Sequence, residues 1–92
     1  MPRFLIEVPH GSEETECARA AKILIQSGSH FLTHADFGCK DGVHKAWIVV
    51  EMDDRTEARN LLHPAYRTAA TITALNKFSM EELDELLSYH EG

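Results

Sequence analysis

His34 and Asp36 are the residues of this 92-residue chain whose types and spacing most directly suggest chemistry. Two positions apart on an extended strand, they share one face, with Cα atoms about 6.6 Å apart. That lets both reach one metal ion or one small substrate. An imidazole beside a carboxylate suits a divalent transition metal such as nickel or zinc. The same pair suits proton transfer, with His34 as base and Asp36 orienting it. Alternation along the neighbouring strands puts Glu7, Lys45 and Trp47 on the same face. Glu7 is a candidate third ligand, Lys45 a charge at the rim and Trp47 a wall on which a flat ligand stacks. The plainer alternative is an imidazole held by Asp36 and stacked on Trp47 inside an interface between two copies.

Other reactive side chains are weaker candidates. Cys39 lies at a hairpin tip near Lys40 and Lys45, a setting in which a thiol can react or ligate a metal, or simply stand idle. His10 and His63 fall in loops at the same end of the sheet. Cys17 sits among alanines on a helical stripe and is expected in the core. His30 and His34 spell His-x-x-x-His, a pair that serves one metal on a helix but spans about 13 Å on a strand. His30 is therefore expected to pair across strands with Glu51. His44, Tyr89 and His90 carry no readable role.

The elements that position these residues follow from periodicity and punctuation. Residues 3–8 read as a strand ended by Pro9, His10 and Gly11. Ser12 is a candidate N-cap, Glu13, Glu14 and Glu16 suit the positive end of a helix dipole, and Gly28 is the expected stop of a helix over 13–27. Residues 30–37 and 43–52 read as strands joined by a tight hairpin, with Lys40 and Asp41 central and Asp41-Gly42 as the turn signal. That register sets Asp36 opposite Lys45 and His34 opposite Trp47; a three-residue loop with a bulge reverses the parity. Asp54 and Glu57 have capping-box spacing for a short helix holding Ala58, Leu61 and Leu62, ended by Pro64. Residues 66–78 read as a fourth strand. Ser79 with Glu82 caps a last helix whose stripe is Met80, Leu83, Leu86 and Leu87.

The resulting order, β-α-β-β-α-β-α, predicts an α+β chain, a ferredoxin-like sandwich with an added C-terminal helix, over a single domain 1–92. Phe4, Ile6 and Val8, then Phe31, Thr33, Ala35 and Phe37, then Ala46, Ile48, Val50 and Met52, are expected beneath the helices. The mixed polar set, Glu7, His34, Asp36, Lys45 and Trp47, is expected on the uncovered face.

Composition narrows the function classes. Nine Lys and Arg against fifteen Asp and Glu give a net charge of −6, the wrong sign for nucleic acid or an anionic membrane surface. Two cysteines are too few for a disulfide scaffold and read as reduced thiols in a cytoplasmic protein. The apolar run at 4–8 is too short for a signal sequence, and no stretch approaches the roughly 20 residues that span a bilayer. A glycine-rich phosphate loop, a Cys-x-x-Cys pair and a nucleophile elbow are all lacking.

The strand at 3–8, the run Leu32-Thr33-His34-Ala35-Asp36, the strand at 46–51, Asp53-Asp54 with Glu57-Ala58, and the strand at 70–75 together resemble small bacterial proteins of the dimeric α/β-barrel group. The resemblance covers residues 1–78. It includes short proteins of unassigned function, one branch of which binds nickel through histidines. It implies a homodimer whose two sheets enclose a cavity, with His34 facing a ligand. The expected function is thus a small homodimeric domain binding a metal ion or a small molecule on its uncovered face. Two alternatives stand beside it: a cofactor-independent isomerase or oxygenase using His34 and Asp36, and an interaction module without a site.

Overall fold

In the computed structural model, residues 1–26 and 29–91 are described. The chain runs β1 (Arg3–Pro9), α1 (Glu14–Gln26), β2 (Asp36–Phe37), β3 (Lys45–Glu51), α2 (Arg55–Asn60), α3 (Pro64–Arg67), β4 (Thr71–Leu75) and α4 (Met80–Glu91). Single turns of 3₁₀ helix occupy Leu32–His34 and Cys39–Asp41. The strands form a four-stranded antiparallel sheet in the order β2-β3-β1-β4. The architecture is α+β. No helix among the described residues is long and apolar enough to cross a membrane.

The period-two reading of β1 and β3 holds. Phe4, Ile6 and Val8 on β1, with Ala46, Ile48 and Val50 on β3, are buried, and they pack with Leu24 of α1, Ala58 of α2 and Leu62. The opposite set is more open: Glu7 and Trp47 are half-buried, and Lys45, Val49 and Glu51 are exposed. A strand with helices on one side only must sort its side chains this way. Among the described residues no polar or charged residue is fully buried.

The second strand is much shorter than its sequence pattern suggests. The extended stretch expected over 30–37 contracts to Asp36–Phe37, and Leu32–His34 turns helically instead. The Ala35 N–H closes that turn on the Leu32 carbonyl at 3.2 Å, and the His34 N–H bonds Phe31. Leu32, which strand alternation with Phe31 and Thr33 would set on the open face, is consequently buried. A short segment of mixed apolar and polar residues fits helix and strand equally well by periodicity, and here the helical turn buries Leu32 against the core.

The hairpin is also wider than a two-residue turn. Asp36 stands opposite Trp47 and Phe37 opposite Ala46, two residues away from the expected register. A shift of two keeps every side chain on its face, so Asp36 shares the open face with Trp47 and Glu7 as expected. The connection is the 3₁₀ turn Cys39–Asp41 closed by Gly42, whose φ of 82° is left-handed backbone that suits glycine. Gly38 lies under the Trp47 ring: a Cβ there would stand 2.7 Å from both the ring and the Val43 carbonyl.

Two caps appear as read. Asp54 Oδ1 accepts from the Glu57 N–H at 2.8 Å, and Ser79 Oγ accepts from the Glu82 N–H at 3.1 Å. Pro64 does more than end a helix. It opens α3 with His63 as N-cap, the His63 Nδ1 accepting from the Ala65 N–H at 3.1 Å. Tyr66 and Arg67 are therefore helical, and the fourth strand begins only at Thr71, because proline's fixed φ suits a first helical turn. The stop expected at Gly28 lies outside the described residues. On α4, Met80, Leu86 and Leu87 are exposed and Leu83 is half-buried.

Candidate metal centre

Four donor side chains converge at the end of the sheet where β1 finishes and β3 begins. They are His10, Cys17, Cys39 and His44, each half-buried, with donor atoms all within 4.8 Å of one another. Each arrives from a different segment. His10 follows the last residue of β1, and His44 precedes the first of β3. Since Pro9 pairs with Lys45, these two histidines are the next step of the same ladder. The His10 N–H donates to the His44 carbonyl at 3.1 Å, and the two rings meet edge-on with centroids 6.2 Å apart. Cys17 lies in the first turns of α1, where the chain returns over the sheet. Cys39 opens the 3₁₀ turn of the β2–β3 connection, pinned by Gly38 beneath Trp47.

The distances suit a tetrahedral ion. His10 Nε2 is 2.9 Å from Cys39 Sγ, and Cys17 Sγ is 3.3 Å from His44 Nδ1. A zinc ion bound at about 2.0–2.3 Å sets its four donors about 3.3–3.8 Å apart. The observed spacing brackets that range, so small side-chain rotations bring four donors onto one centre. His10 Nδ1 is buried with no hydrogen-bond partner. Leaving a buried polar atom unpaired costs about 1–3 kcal/mol; Nδ1 is the ring nitrogen that does not approach Cys39, the position where a metal-bound imidazole usually has an outer partner.

The two sulfurs influence each other. A hydrogen bond with Cys39 pushes the Cys17 thiol up from 9.0 to about 11; desolvation and the negative charges of Cys39 and Glu16 add to it. In the metal-free protein Cys17 is thus a neutral thiol, and that contribution to stability is complete below about pH 9 and lost as pH rises to about 11. The urea midpoint of metal-free protein should fall over this window more steeply than that of Cys17→Ser. Parallel profiles for the two proteins would contradict the thiol pairing. A bound cation reverses the situation, because it holds both thiols as thiolates and releases their protons.

The residues expected to form a site are divided. Glu7, Asp36 and Trp47 do gather on the open face: Trp47 stands opposite both Glu7 and Asp36, and its Nε1–H donates to Glu7 Oε1 at 2.9 Å. Lys45 is exposed at the edge, opposite Pro9. His34 does not join them. It is exposed in its own 3₁₀ turn, with Nδ1 2.9 Å from the His30 carbonyl oxygen. The strand spacing that would set it beside Asp36 is replaced by helical geometry. For the same reason the His30 and His34 rings, expected about 13 Å apart, have centroids 4.8 Å apart. His30 does not face Glu51, whose partner across β1 is Arg3.

Cys17 and His44 are the members of the cluster that residue types alone did not single out. The spacings, seven, twenty-two and five residues apart, form no local motif. One signal was available: continuing the β1–β3 ladder one step past Pro9 and Lys45 sets His10 against His44, at the end where Cys39 was already expected. No family model matches the chain, and no match is found among curated proteins or solved structures.

Proposed function

We propose that this chain is a transition-metal-binding domain whose centre is His10, Cys17, Cys39 and His44, with zinc(II) as the preferred ion. The observation that carries the reading is the convergence of two sulfurs and two imidazole nitrogens within 4.8 Å. Two thiolates and two imidazoles in a tetrahedral set match zinc better than nickel, which favours square-planar nitrogen and oxygen donors. Four protein donors saturate the ion, the pattern of a structural rather than a catalytic site. The strand order β2-β3-β1-β4 and the element order support a ferredoxin-like frame for it. A homodimer through the open sheet face, where Val49 is exposed beside Trp47, is compatible with this reading and not required by it.

Calorimetric titration of dialysed full-length chain with zinc tests it. One ion per chain is expected. Cys17→Ser and Cys39→Ser should each weaken binding by more than about 100-fold, since even outer-shell changes at metal sites cost 10–100-fold. His34→Ala should leave binding unchanged. Binding that survives Cys17→Ser but is lost in His34→Ala would overturn the proposal and return the site to the sheet face.

A further inference from the structure

The two cysteines of the cluster have a second reaction open to them. We infer that the centre is redox-gated: a hydroperoxide oxidises Cys17 and Cys39 to an intramolecular disulfide, and the metal leaves. The inference rests on the metal reading above and adds its regulation. Three observations carry it. The two Sγ atoms lie within 4.8 Å of each other, so closing to a disulfide of about 2.05 Å takes side-chain rotation and a small loop shift. Both sulfurs line an open cleft of about 660 Å³, beside Ala18, Ala21 and Lys40, through which a small oxidant reaches them. Cys39 opens the 3₁₀ turn of the β2–β3 connection and Cys17 lies in the first turn of α1, so the two thiols approach from separate elements and the bond joins the turn to the helix.

The step balances without a redox-active metal. One thiolate attacks a peroxide oxygen, the O–O bond breaks, and a sulfenic acid forms with release of hydroxide. The second thiolate attacks that sulfur, the S–S bond forms, and a second hydroxide departs. For hydrogen peroxide the sum is two thiolates, one peroxide and two protons giving one disulfide and two waters. Zinc keeps its oxidation state throughout. It loses two of four donors, and the two remaining imidazoles hold it more weakly by at least about 100-fold.

The test uses zinc-loaded full-length chain and one equivalent of hydrogen peroxide. Zinc release is followed with a chelating dye, and the product is read by intact and peptide mass spectrometry. The expected result is one zinc released per chain, loss of two hydrogens located in a Cys17–Cys39 linked peptide, and recovery of zinc binding after a dithiol reductant. Zinc retained after oxidation, or released with sulfinic acids or links between chains instead, overturns the inference while leaving the metal site intact. A chain that takes up no zinc before oxidation overturns the metal reading, and with it the gate.

Discussion

Zinc at about 100 times its dissociation constant is expected to raise the melting temperature of the chain by roughly 10–20 °C. An ion that binds only the folded state at that excess contributes about 2.7 kcal/mol. In a domain of this size each kcal/mol moves the midpoint by about 4–8 °C. The effect is large because the ligands come from four separate segments: the end of β1, the first turns of α1, the β2–β3 turn and the start of β3. None of the four can supply the donor set alone, so unfolding disperses it. The increment should vanish in a Cys17→Ser, Cys39→Ser double variant and persist in Asp36→Asn. Differential scanning fluorimetry with zinc, then with excess chelator, reads it. An equal increment in the double variant would mean that the ion binds elsewhere.

Ile6→Ala is expected to cost about 2–5 kcal/mol, the range for truncating a buried isoleucine to alanine. Ile6 is fully buried on β1, a central strand, in register with Ile48 on one side and Ile72 on the other. Both neighbours lie on strands paired with β1, so the backbone around the cavity is held by the sheet's hydrogen bonds. Small domains have only about 5–15 kcal/mol of net stability, and this change removes a large part of it. Urea unfolding at neutral pH with chelator present measures it free of any metal contribution. A loss below about 1 kcal/mol would place Ile6 outside the core described here.

Phe4, Ile6 and Val8, with Ala46, Ile48 and Val50, show how far alternation alone carries a reading: a strand with one covered face writes its orientation into every second residue. The caps at Asp54 and Ser79 were equally legible, because each is a local hydrogen bond between residues three apart. The failures have a common cause. Leu32 and Ala35 have the three-residue spacing of a helical turn, while Phe31, Thr33, Ala35 and Phe37 have the every-second spacing of a strand, so the segment fits both. Tertiary burial of Leu32 decides between them. Pro64 is as much a helix opener as a helix stop, and its neighbour His63 supplies the cap. The metal cluster was half legible. His10 and Cys39 could be brought to one end of the sheet by topology. Cys17 looks apolar among alanines, and His44 acquires a role only when the β1–β3 ladder is known to continue past Pro9 and Lys45. The pairing of His34 with Asp36 depended on an extended backbone that the 3₁₀ turn replaces.

X-ray absorption at the zinc edge, on zinc-loaded full-length protein, reads the donor set itself. A first shell of two sulfurs at about 2.3 Å and two nitrogens at about 2.0 Å is the predicted result. A shell of nitrogen and oxygen alone, with no sulfur, would contradict it and remove Cys17 and Cys39 from the centre.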